Sequence, residues 1–251
     1  MRTVDLRDTA RRPPITLEAK LKRSKLPKIC YLCGKSLTEP ISDDHVPPKQ
    51  IFARSIRKSH PTDLLKIPVH LKCNQSYQRD EDYFLNSLAP LGRGSYAGNA
   101  VLEDVFEKFH RGEKVFLVKK VLAEFDSRPS GLIIPGKVIK RFDGKCMTRI
   151  VLKIVRGLYF HHYSQYLPEE LTGEVQIISP DDPPPDHFTI ALGDKPEHGR
   201  HPGIFAYKFS NFSGVNKTHY WGMLLWNQII IIARFHDPAC ECSLCVPALV
   251  R

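Results

Sequence analysis

Apolar positions along the chain follow helical spacing in the first two thirds and strand spacing in the last third. Tyr77, Phe84, Leu85 and Leu88 form a stripe, with Gln78, Arg79, Asp80, Glu81 and Asp82 at water-facing positions. This predicts a helix running from Asn74 and closed by Pro90. Residues 101–125 keep the helical spacing but break at Arg111-Gly112, which predicts a helical hairpin or one kinked helix. Ile150, Val151, Ile154, Val155, Leu158 and Tyr159 predict a buried helix over residues 148–166, ended by Leu167-Pro168. Short strands are predicted around the Pro135-Gly136 turn and at Val175-Gln176-Ile177-Ile178. Longer ones are predicted at residues 204–209, 219–226 and 228–235. Strands gathered after helices indicate an α+β domain with a small antiparallel sheet.

Composition narrows the partners. A chain of 251 residues with 42% hydrophobic content can bury a core in one or two domains. The run from Ile229 to Ala233 falls far short of the roughly 20 apolar residues of a membrane helix, so no membrane partner is expected. A formal charge of +10 favours an anionic partner, and a phosphate backbone is the commonest one, held in a salt-sensitive way. Seven cysteines is an odd number, and Met1 leads into Arg2, Asp5, Arg7 and Asp8 with no apolar stretch. Metal binding in a reducing, cytoplasmic compartment is therefore expected in place of a disulfide framework. Residues 1–26 are polar and basic, with Pro13-Pro14, and read as a cationic arm or a plain leader.

The chemistry concentrates between Cys30 and Asn74. Cys30-Tyr31-Leu32-Cys33 and His70-Leu71-Lys72-Cys73 each leave two residues between ligand types, the spacing of a structural zinc site. Two residues let one backbone turn present both side chains to one ion, and Gly34 suits the knuckle. His70 stands where a cysteine is usual. Between the half-sites, Asp44-His45 joins a hard oxygen donor to an imidazole that accepts a proton near neutral pH. Pro47 and Pro48 keep His45 on a strand or at its end.

These residues resemble the HNH endonuclease family. The matching pieces, in order, are Cys30 and Cys33, then Asp44, His45 and Pro48, then His70, Cys73 and Asn74, with a helix after Asn74. The resemblance covers about residues 28–90 and implies a zinc-stabilised ββα-metal domain over 27–95, followed by an α+β accessory domain over 96–251. It further implies hydrolysis of phosphodiester bonds, in DNA first, with His45 as general base. Asp44 and Asn74 would hold a catalytic Mg²⁺ or Mn²⁺, and Cys30, Cys33, His70 and Cys73 a structural Zn²⁺. The family's central Asn has no clear counterpart. Asp63 stands near its place, either orienting His45 or serving as a cap or turn residue. Asp80–Phe84 and Lys153–Tyr159 also resemble bacterial HNH proteins, which implies a shared accessory domain able to carry a homodimer or protein contact.

The competing expectation is a zinc-stabilised nucleic-acid-binding module without catalysis, which needs the outer cluster but not Asp44 and His45. Lys49, Arg54, Arg57 and Lys58 follow the inner pair and are either phosphate contacts or a solvated face. His236, Cys240, Cys242 and Cys245 lie within ten positions and read as a second zinc set or a thiol-rich tail. Cys146 reads as a small core residue, and His161-His162 either as a pH-sensitive or binding surface or as helix-end cations favourable to the dipole.

Overall fold

A hairpin and a helix form the N-terminal part of the computed structural model, which describes residues 28–59, 64–126, 139–167, 172–178, 182–212 and 218–236. Strand β1 (Ile41–Val46) pairs antiparallel with β2 (Leu65–His70) in a register that sets Asp44 opposite Ile67 and His45 opposite Lys66. Between them lies α1 (Arg54–Ser59), and after them α2 (Leu71–Gln75) and α3 (Gln78–Leu88). The single helix predicted from Asn74 is thus two, divided at Ser76–Tyr77. Its polar face is not simply solvated: Asp80 pairs with Arg149 and Glu81 with Lys153.

The predicted break at Arg111-Gly112 separates α4 (Tyr96–His110) from α5 (Val115–Ala123). A two-residue β3 (Phe125–Asp126) then pairs with β4 (Ile139–Lys140). The long α6 (Gly144–Tyr163) starts four residues before the predicted start at Thr148 because Asp143 caps it, accepting from the Cys146 amide at 3.3 Å. One face of α6 buries Ile150, Ile154, Gly157 and Leu158. A Cβ on Gly157 would stand 2.5 Å from Val46 Cγ2, so glycine there lets α6 press against β1.

Five strands form the third sheet, in the order β5 (Thr172–Ile178), β9 (Ile229–His236), β8 (Thr218–Leu225), β7 (Phe205–Phe212) and β6 (His198–His201), all antiparallel. Helix α7 (Asp186–Leu192) packs on one face through Phe188 and Leu192. The apolar runs predicted β5, β7, β8 and β9, while β6, with its sequence His-Gly-Arg-His, offers no apolar alternation to read. The mixed helix-and-sheet content with small antiparallel sheets is that of an α+β protein. One apolar core runs from Cys30 and Tyr31 through α3 and α6 to Trp221, Trp226 and Phe235. Trp226 ties the sheet to the N-terminal part by donating its indole N–H to the Ile51 carbonyl at 2.9 Å. Among the described residues no helix is long and apolar enough to cross a membrane.

Burial also makes several histidines reluctant to ionise. It lowers the pKa of His45, His219 and His236, and with His161 and His198 it pushes His162 down to about 4. The folded chain then binds fewer protons than the unfolded one below the ordinary histidine value of about 6.5, so stability falls as pH drops towards 4. The urea midpoint should decline across that window, and decline less in His162→Phe. Equal slopes in both proteins would exclude His162 as a source.

Candidate metal centre and basic cleft

The outer four residues meet. Side-chain ligand atoms of Cys30, Cys33, His70 and Cys73 all lie within 4.8 Å of one another. Residues 29–36 double back on themselves, with the Cys30 amide bonding to the Lys35 carbonyl at 2.8 Å and the Gly34 amide to the Cys30 carbonyl at 2.8 Å. Gly34, at φ +71°, makes the knuckle. His70 ends β2 and Cys73 lies in the first turn of α2, so the strand-to-helix junction supplies the second half-site.

Their spacing suits zinc. Zinc-to-sulfur bonds of about 2.3 Å and zinc-to-nitrogen bonds of about 2.05 Å in a tetrahedron give ligand-to-ligand edges of about 3.6–3.8 Å. His70 Nδ1 stands 3.5 Å from Cys33 Sγ and 3.8 Å from Cys73 Sγ. A proton on Nε2, donated to the Ser36 carbonyl at 3.0 Å, leaves the Nδ1 lone pair facing the sulfurs. The Thr38 amide, 3.2 Å from the same Nε2, could donate to it only in the opposite tautomer, which would block ligation. Burial raises Cys30, and burial with the nearby Cys30 and Cys33 pushes Cys73 up to about 12. Burial opposes ionisation of Cys33 too, but hydrogen bonds from the Lys35 backbone and His70 outweigh it and lower the pKa. The group can hold a metal such as zinc.

The inner residues divide. Successive side chains of a strand point to opposite faces, and β1 sends Ser42, Asp44 and Val46 inward while Asp43 and His45 face out. Asp44 is buried, accepting from the Tyr31 hydroxyl and from Lys153 Nζ, the latter at 2.8 Å. Lys153 bonds Glu81 as well, and its side chain and that of Asp44 are only 1% and 5% exposed. Burial raises the pKa of Glu81 although Lys153 opposes it, and burial together with the Asp44 charge raises that of Tyr31 well above the usual phenol value. Asn74 donates from Nδ2 to Ser42 Oγ at 3.1 Å, fastening α2 to β1.

Asp44, His45 and Asn74 are therefore not gathered at one point. A divalent ion on Asp44 and Asn74 does not fit this arrangement: an ammonium group already neutralises the carboxylate, and the Asn74 amide is turned to Ser42. Lys153 was hidden in the sequence as one polar position on an apolar helix. Its place between Ile150 and Ile154, on the buried stripe, was the available signal.

His45 faces a shallow cleft of about 510 Å³ whose other walls are Leu64 and five cations, Lys49, Arg54, Arg57, Lys58 and Lys66. Helix α1 supplies three of these and the strand partner of His45 supplies Lys66. Burial, then repulsion by Lys66 and Lys49, lowers the His45 pKa against the opposing pull of Asp44 and Asp43. The imidazole is therefore neutral at neutral pH, with a free lone pair available to one nitrogen. Lys66 escaped the sequence reading because it alternates with apolar Leu65 and Ile67.

No family model, curated protein or solved structure matches this chain. Asp63, residues 1–26, the Pro135-Gly136 turn and Cys240, Cys242 and Cys245 lie outside the described residues. His236 ends β9, buried and 3.4 Å from Thr218 Oγ1. Cys146 is only half-buried and donates to Asp80 at 3.4 Å. Burial and that carboxylate push its thiol up to about 11. His162, read from sequence as a dipole cation, is instead uncharged, packed against Phe209 and 2.9 Å from the Tyr207 hydroxyl.

Proposed function

We propose that the protein binds nucleic acid, DNA in the first instance, along the basic cleft and hydrolyses its phosphodiester backbone as an endonuclease. The observation that carries this reading is a half-buried, neutral His45 on a wall shared with five cations. Such a cleft concentrates a polyanion and neutralises its phosphates. With the scissile phosphate against Lys49, Lys66 and the cations of α1, the lone pair of His45 takes the proton of an attacking water as its oxygen bonds phosphorus; the opposite P–O bond breaks, and the departing sugar oxygen takes a proton from solvent. The cationic side chains offset charge building on the nonbridging oxygens. The Mg²⁺ or Mn²⁺ implied by the resemblance has no fitting ligand pair in Asp44 and Asn74, so no step is assigned to it. The Cys30, Cys33, His70 and Cys73 cluster would act only as a zinc clamp on the strand-to-helix junction.

A second reading, nucleic-acid binding without catalysis, is favoured by one observation: Asp44 is committed to Lys153. Both readings require the cleft. Lys58→Ala and Lys66→Ala should weaken DNA binding across sequences and each reduce the slope of log affinity on log salt by about 1. Unaltered slopes would remove the cleft from both. Plasmid nicking by zinc-loaded protein, with and without Mg²⁺, separates them: nicking lost in His45→Ala supports hydrolysis, and equal trace nicking supports binding alone.

A further inference from the structure

Beside the cleft lies a half-open cavity of about 230 Å³ that the proposed chemistry leaves unused. The two meet at the end of the β1–β2 hairpin, where Leu64 lines both. Val46 and Leu65, partners across that hairpin, turn into the cavity, while the next pair, His45 and Lys66, turn into the cleft. Its floor is apolar, from Val46, Leu158 and Phe205. Its far wall is a set of rings brought together by an irregularity in β6.

His198 and His201 are three apart and would point to opposite faces of a regular strand. Here His198 pairs with Tyr207 and His201 with Phe205, so three steps of β6 oppose two of β7 and both imidazoles reach the same face. Gly199 permits this: its φ is +135°, and a Cβ there would stand 2.5 Å from the Phe205 carbonyl oxygen. His198 then stacks on Tyr207 with ring centroids 5.3 Å apart and meets His162, from the end of α6, at 5.1 Å. His201 meets Phe52 edge-on at 5.1 Å.

We infer that this cavity receives a single heteroaromatic base, of a strand whose phosphates occupy the cleft or of a free nucleotide. The inference rests on the nucleic-acid reading for the first source and not for the second. Size comes first: pockets for drug-sized ligands run to about 300–1,000 Å³, so this one admits a small planar group. Chemistry agrees. Imidazole and phenol rings offer stacking faces together with the donors and acceptors that read a base edge. Among the described residues no carboxylate lines the cavity to attract a cation, and Arg200 stands exposed at its rim. His162 adds no charge, being held uncharged by its surroundings. A cavity opening beside a phosphate cleft is where an unstacked base would be taken up.

The test uses His45→Ala protein, which keeps strands intact, with His198→Ala and Leu65→Trp added singly. Fluorescence anisotropy compares single-stranded DNA with the same strand carrying abasic sites, and calorimetry measures nucleoside monophosphates. The intact strand should bind about tenfold tighter than the abasic one, as stacking of one base allows. His198→Ala and Leu65→Trp should erase that difference and leave abasic binding unchanged. If Leu65→Trp fails to fold, His198→Ala carries the result. Loss of all salt-sensitive strand binding would sink the nucleic-acid reading alone. The cavity is then judged by the monophosphates, whose saturable binding, lost in the variants, supports the free-nucleotide source. Absence of both base-dependent strand binding and monophosphate binding overturns the inference, as does either one surviving both substitutions.

Discussion

Cys30→Ser and Cys73→Ser each unfold the region around the β1–β2 hairpin and α2. The knuckle and hairpin bury Tyr31, Leu32, Ile67 and Val69, but α2 has no buried residue, so apolar burial does not by itself hold the strand-to-helix junction closed. One ion would join four side chains from two segments forty residues apart, and structural zinc contributes on the order of 10 kcal/mol to such folds. Chelation of wild type should act in the same direction, because removing the ion releases all four side chains at once. Zinc content by atomic absorption should be one ion per chain in wild type and near zero in both variants, with the melting transition broadened or lost. Unchanged zinc content and melting in both serine variants would remove the clamp.

Lys153→Met has the second large effect. It deletes the ammonium shared by Asp44 and Glu81 while keeping the apolar stem that α6 packs with. Breaking a buried pair by removing one partner costs about 3–5 kcal/mol, because the remaining charge is left without compensation. Adding Asp44→Asn to Lys153→Met should recover part of that loss, since the stranded carboxylate is then gone. Urea unfolding of the wild type, both single variants and the double variant forms a thermodynamic cycle. Additive effects, or a loss below about 1 kcal/mol for Lys153→Met, would show that the pair is not what holds α6 to the hairpin.

These two expectations mark the boundary of what the sequence discloses. Ligand sets such as Cys30, Cys33, His70 and Cys73 are legible because local spacing encodes them: each half-site is built within one turn. Strands β7, β8 and β9 are legible through their apolar runs, whereas β6 owes its form to Gly199 and to pairing with β7. Long-range choices are not encoded locally. Nothing near Asp44 announces that its counter-ion comes from a helix 109 residues later. Alternation along β1 does separate Asp44 from His45, but only once the residues are known to be strand and not a loop closing on an ion. His162 carries the same lesson, since its place at a helix end suggests a cation, whereas burial, with His161 and His198 beside it, pushes its pKa down to about 4.

The central claim is that His45 activates water at the cationic cleft, and one comparison tests it most directly. Single-turnover cleavage of labelled DNA is measured for zinc-loaded wild type and His45→Ala, at protein concentrations where anisotropy reads equal binding. General-base catalysis contributes about 10²–10⁴-fold, so the variant should be slower by that factor at pH 7.5. The wild-type rate should fall with acid only below the ordinary histidine value, because burial and Lys66 hold the His45 pKa down. Equal rates in the two proteins, with binding and folding intact, would contradict the claim and leave a nucleic-acid-binding cleft without catalysis.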